Sequence, residues 1–157
     1  MSEAARRYCA QITRRQAANF YYGMRLLPAR KRDGLFAIYA FARRVDDIGD
    51  GPLPVDEKRR QLEGAAESLG RSPDGDPVLV ALREAEHRFP LERQSFLDLI
   101  EGVRMDVEGS SYERFDQLVV YCRRARIVGA EHGDAQAPDR ARDAPAVHHE
   151  LIEALVA

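Results

Sequence analysis

Residues 39–50 read YAFARRVDDIGD, and the reading of this stretch decides the fold. Taken as a helix, at about 100° per residue, it places Tyr39, Arg43, Asp46 and Asp50 on one narrow stripe. The stripe carries an aromatic ring, a guanidinium and two carboxylates. Phe41, Val45 and Ile48 occupy the other sides. Upstream, Ala29, Leu35, Phe36, Ile38 and Ala42 spread over more than one face, which predicts a central helix from Pro28 to Asp50 and not a surface one. Carboxylates one turn apart cost roughly a few tenths of a kcal/mol on an exposed helix. Burying them unpaired costs far more and calls for a cation. Hard oxygen ligands at this spacing suit Mg2+, which takes one or two carboxylates together with substrate phosphates. The DDxxD of Asp46, Asp47 and Asp50 therefore reads as a Mg2+-bridged diphosphate site. A solvated acidic helix end, with Arg43 and Arg44 as partners, is the alternative. Acidic residues at a helix C-terminus oppose its dipole and speak against it.

The flanking sequence divides into helices. A helical period over residues 3–26 runs through Tyr8, Cys9, Ile12, Ala17, Phe20, Tyr21 and Met24 and on to Leu27. Gly23 and Pro28 interrupt it, and a break or short loop is predicted at the start of NFYYGMRLLP. Gly51, Pro52 and Pro54 end the central helix. Asp56 is the predicted N-cap of a helix over residues 57–70, closed by Gly70. After the polar turn SPDGDP, Pro77 opens a fourth helix that stops near Pro90. A fifth runs over residues 92–107. Gly109, Ser110 and Ser111 break the chain again. Ser110 and Glu113 have capping-box spacing and open a sixth helix over residues 112–126, with Phe115, Leu118, Val119 and Cys122 on one face. No strand period and no repeat occurs, so the predicted fold is all-α with about six helices. From residue 127 the composition turns to Ala, Asp, Arg and Pro without an apolar face, a predicted disordered tail. Only Leu151, Ile152, Leu155 and Val156 suggest a short amphipathic helix there. The predicted organisation is a helical domain over residues 1–126 and a divergent tail over 127–157.

The 157 residues are 45% hydrophobic and 32% charged, enough for one domain with a core. A net charge of -2 gives no basic face for nucleic acid. Cys9 and Cys122 lack metal-ligand spacing and read as buried free thiols in a reducing compartment. No apolar run approaches the roughly 20 residues of a membrane span, and the N-terminus lacks the apolar core of a signal peptide. The reading is cytoplasmic, with peripheral membrane contact left open. Phe20, Tyr21, Tyr22, Tyr39 and Tyr121 offer ring faces suited to a carbocation or to ordinary core packing. Asp106, among Val103, Met105 and Val107, reads as a further cavity-facing carboxylate or as a surface residue. His87 reads as exposed, and the tail histidines match no zinc motif.

NFYYGMRLLPARKRDGLFAIYAFARRVDDIGDG resembles the N-terminal signature of the squalene/phytoene synthase family. LIEGVRMDVEGSSYERFDQLVVYCRR resembles its middle region, and the two together cover about residues 8–124 in the family's order. RLLP, RRVDDIGDG and GVRMDV are most similar to bacterial squalene or presqualene diphosphate synthases of hopanoid pathways, with phytoene synthase close behind. The resemblance implies the N-terminal half of an all-α isoprenoid-synthase fold around a central cavity. It implies head-to-head condensation of two prenyl diphosphates, with Mg2+ bound through their diphosphates. Farnesyl diphosphate is favoured, toward presqualene diphosphate and squalene. Phytoene synthesis from geranylgeranyl diphosphate is the alternative. The metal motif maps onto Asp46, Asp47 and Asp50, with Asp46 and Asp50 as ligands. Tyr39 and Arg43 line the diphosphate pocket and Tyr121 the cavity, as the implied catalytic residues. Phe20 and Tyr21 fall in the segment that closes over substrate, which is often serine-rich where this chain has Ala17, Ala18 and Asn19. With Arg43 and Asp106 they form the implied substrate-binding set. NADPH serves some members in a reductive rearrangement; no residue here marks a site for it.

The match also has an edge. After YCRR the family continues with a VAGSVG-type segment and a second acidic motif of the type NILRDxxED. This chain reads ARIVGAEHGDAQAPDRARDAP, with no second aspartate motif. A truncated chain is the expectation, with apolar surface left bare and open to self-association. A non-catalytic helical fragment or interaction domain is then the alternative function, and a plain helical bundle with an accidental DDxxD the third.

Overall fold

The computed structural model describes residues 2–109. The predicted sixth helix, with Tyr121 and Cys122, and the predicted tail lie outside the described residues. Within them the chain folds into six helices and no strand: α1 (Glu3–Gln16), α2 (Ala18–Met24), α3 (Ala29–Asp50), α4 (Val55–Ser68), α5 (Pro77–Arg88) and α6 (Arg93–Val107).

α3 is the axis of the fold. Its 22 residues rise about 33 Å. Every residue from Gly34 to Ala42 is buried, as is Val45. A stretch apolar on all sides must be covered on all sides, and α1, α4, α5 and α6 pack against α3. Phe41 meets Phe96 of α6 edge to face at 5.6 Å. Leu62, Val78, Leu82 and Leu99 bring α4, α5 and α6 into the same core.

α1 is capped as elementary electrostatics prefers. Ser2 accepts a hydrogen bond from the Ala5 amide at 3.1 Å, Glu3 lies in the first turn, and Arg14 and Arg15 lie in the last. Its buried face is Ala5, Cys9 and Thr13, four residues apart. Tyr8, expected on the apolar side, is turned outward. The buried Thr13 hydroxyl donates to the Cys9 carbonyl at 3.0 Å, which satisfies a polar side chain inside the core.

The predicted break near Asn19 is displaced. Ala17 alone leaves helical geometry, at φ -144° and ψ 69°, and NFYYGM belongs to α2. The turn keeps its backbone bonds. The Ala17 amide donates to the Thr13 carbonyl at 2.8 Å, and the Ala17 carbonyl accepts from Tyr21 at 2.9 Å. Tyr21 stacks on Phe36 of α3 at 5.4 Å, and Met24 is buried, so the short helix is held by its side chains.

α4 begins two residues earlier than expected. Pro54 takes the cap position, and its carbonyl accepts from the amides of Glu57 and Lys58, both at 3.0 Å. Asp56 falls inside the first turn and serves the dipole there. Asp76 caps α5 through the Val78 and Leu79 amides, with Pro77 at the first helical position. Gly109, at φ 64°, follows α6 in the left-handed conformation that glycine adopts without strain. Among the described residues, no helix is long and apolar enough to cross a membrane.

Candidate functional site

The last two turns of α3 carry the predicted stripe. Tyr39 is buried, Arg43 and Asp46 are half-buried, and Asp47 and Asp50 are exposed. Arg43 pairs with Asp47 at 2.5 Å, one turn ahead and not with Asp46. Arg44, the other basic residue of the predicted acidic end, leaves the motif altogether. It forms a two-pronged bond to Asp76 at 2.7 and 3.0 Å, tying α3 to the start of α5. A solvated end neutralised by both arginines is therefore not what the chain builds.

Asp46 is left under electrostatic load. Burial pushes its carboxyl from 3.8 to about 6; Arg43 opposes the rise, and Asp50 and Asp47 add to it. The same charges reach Tyr39. Burial raises its hydroxyl pKa, Arg43 pulls it down, and Asp46 and Asp47 push it up. The structure thus brings Tyr39, Arg43, Asp46, Asp47 and Asp50 into one electrostatic unit. Arg43 also holds its Nε buried, without an acceptor among the described residues. A buried N–H donor without a partner is costly.

These groups suit a cation shared with an anion. Among the described residues, no three carboxylate, histidine or cysteine side chains converge as a ready-made metal cage. Mg2+ does not need one, since it is held by one or two carboxylates when phosphate oxygens and water complete its octahedron. Asp46 and Asp50 are the carboxylates that could hold such an ion, and Arg43 is the guanidinium that could meet a phosphate oxygen.

Two neighbours of the motif carried no site assignment from sequence. Lys58 of α4 donates to the Gly49 carbonyl at 2.5 Å, placing an ammonium at the C-terminal end of α3. Gly49 faces α6 so closely that a Cβ there would lie 2.6 Å from Val103 Cγ1 and 3.9 Å from Val107 Cγ2. The glycine inside DDIGD was the available signal for that approach. Asp106 is exposed one residue before Val107, so α6 carries it to the same end of α3. Phe20 and Tyr21 both lie on α2. Phe20 is exposed. Tyr21 stacks on Phe36, ten residues and about 15 Å up α3 from Asp46. Tyr121 lies outside the described residues.

The comparisons with known proteins agree on one family. The squalene/phytoene synthase family model matches residues 13–131. A phytoene synthase of Mycobacterium tuberculosis is 48% identical over 123 residues, which is 78% of this chain and 41% of that protein. A 15-cis-phytoene synthase of Synechocystis is 36% identical over 152 residues, 87% of this chain and 44% of that one. A crystal structure of a dehydrosqualene synthase in complex with ligand superposes with a TM-score of 0.62 at 32% identity, covering 78% of this chain and 43% of that one. The chain thus spans less than half the length of these relatives. Its helical order, its DDxxD and its match over most of its own length lead to one conclusion: the chain belongs to the squalene/phytoene synthase family.

Proposed function

We propose that the C-terminal end of α3 binds the diphosphate of a prenyl diphosphate together with Mg2+, as the first half of the site for a head-to-head prenyl transfer. The observation that carries this reading is the loaded Asp46, half-buried beside Asp50 and Asp47 and short of positive charge. Asp46 and Asp50 would hold the ion, with Asp47 beside them. When bound, Mg2+ neutralises the negative charge that builds on the leaving diphosphate. Arg43 can turn from Asp47 to a phosphate oxygen, since guanidinium and phosphate match as a fork. Tyr39, buried one turn before Arg43, would give the site an aromatic wall. Asp106, exposed near the end of α6, would add a further carboxylate. The named relatives are phytoene synthases, which sets geranylgeranyl diphosphate level with farnesyl diphosphate as donor.

The test is diphosphate release from each donor by the 157-residue chain, with and without Mg2+. Binding of inorganic pyrophosphate is followed in parallel by calorimetry. Mg2+-dependent binding that Asp46→Asn and Asp50→Asn remove is the expected result. Binding that survives both substitutions rejects the site. Intact Mg2+-dependent binding without release by the folded chain assigns it to the alternative, a non-catalytic helical domain.

A further inference from the structure

A cleft of about 440 Å³ opens between α1, α2 and the first turns of α3. It is remote from DDxxD: Arg32 and Asp50 are eighteen residues apart on α3, about 27 Å at a rise of about 1.5 Å per residue. Four guanidiniums line it, Arg6 and Arg7 from α1, Arg25 just beyond α2, and Arg32 from α3. The ring of Tyr21, stacked on Phe36 with 13° between planes, lines the same cleft.

The charge in this cleft is only half balanced. Glu3 pairs with Arg7. Asp33 is divided between Arg6 at 3.4 Å and Arg32 at 3.8 Å. Arg25 has no carboxylate partner among the described residues. Four guanidiniums against two carboxylates leave two positive charges in excess. Arginines drawn from three separate elements onto one concave, aromatic-lined surface have the chemistry of phosphate recognition, since each presents a planar fork of donors. The geometry points to a second anion site here, one that takes a phosphate-bearing ligand without a divalent metal and rests its planar or apolar portion on the Tyr21 ring. The ligand is a soluble phosphate ester or the headgroup of an anionic phospholipid, which share this chemistry. The cleft does not depend on the reading of DDxxD.

The experiment uses the 157-residue chain in EDTA, so that no metal bridges phosphate to Asp46. Inorganic pyrophosphate is titrated by calorimetry. Flotation is run alongside with phosphatidylcholine vesicles containing phosphatidylglycerol. Metal-free binding is expected, weakened by about tenfold or more in Arg25→Glu, since a charged hydrogen bond is lost and a repulsion gained. Arg25→Gln is read instead if near-UV circular dichroism shows Arg25→Glu to be unfolded. Asp46→Asn, which removes the metal-dependent binding proposed above, leaves this binding in place. Pyrophosphate binding identifies a soluble ligand, and vesicle binding alone identifies a lipid headgroup; each upholds the site provided the Arg25 variant loses it. Absence of both, or binding indifferent to Arg25, overturns it.

Discussion

Asp46 joins the motif to the pH behaviour of the fold. Its carboxyl is raised from 3.8 to about 6, chiefly by burial. The folded chain therefore holds this proton more tightly than the unfolded chain does. The stabilisation is fully present below about pH 4 and is lost as pH rises from about 4 to about 6. After allowance for solvent screening, the penalty above that window is about 1–2 kcal/mol. Asp46→Asn should accordingly be more stable than the parent by about that amount at pH 7.5, and equal to it at pH 4. Urea denaturation at both values measures the gap, and a gap that does not close at low pH refutes the assignment. Gly49 makes a second residue-scale prediction. Gly49→Ala gains up to about 1 kcal/mol of helix propensity but drives a methyl into the stiff, β-branched Val103. A net loss of about 1–2 kcal/mol is expected, restored in part by Val103→Ala, and thermal melts of the single and double variants decide it. The carboxylate stripe was legible from spacing alone, because helical geometry dictates it. The glycine in DDIGD signalled a close approach but not that α6 makes it, because that depends on where a helix more than fifty residues later comes to rest.

At the scale of elements, Asp76 has two tasks. It caps α5 through two amides and receives both prongs of Arg44 from α3. These bonds hold its carboxyl below the ordinary range, against the upward pull of burial. Its contribution is present above the unfolded value and lost as pH falls through the depressed folded value, the reverse of Asp46. Asp76→Ala should cost about 2 kcal/mol, from the lost cap and the half-exposed pair together. Asp76→Asn, which keeps a capping oxygen, should cost about half as much. Denaturant midpoints at neutral pH compare the two, and equal costs would show that the cap contributes nothing. Helix ends marked by proline and glycine were readable: Pro28, Gly51 and Pro77 all fall at boundaries. The exact place of the break was not, since alanine is the strongest helix former and the break falls at Ala17, two residues before the expected one. Tyr21 and Met24, by packing downward, decide that turn.

The described residues are arranged around one covered helix, and that much followed from the run over residues 35–42, which has no charged side chain to give to water. The family also followed, since its two signature stretches lie in order and the matched region reaches residue 131. The Arg44–Asp76 clasp across 32 positions did not follow, because a polar turn shows its composition but not its partner. Among the described residues, the large apolar side chains left exposed are Tyr8 on α1, Phe20, Tyr22 and Leu26 in and just after α2, and Leu53 and Val55 where α4 begins.

The thiol of Cys9 has a practical consequence. It is fully buried where α1 meets the core, and burial pushes its pKa up to about 12. Only a thiolate reacts at a useful rate, so in the closed molecule this sulfur is chemically silent. It becomes a clock for the detachment of α1. In a Cys122→Ser background, a disulfide-exchange reagent should modify the native protein orders of magnitude more slowly than the urea-unfolded chain. The ratio of the two rates reads the opening equilibrium directly, with no probe added to the protein. Prompt labelling of the native chain would mean that α1 spends much of its time undocked.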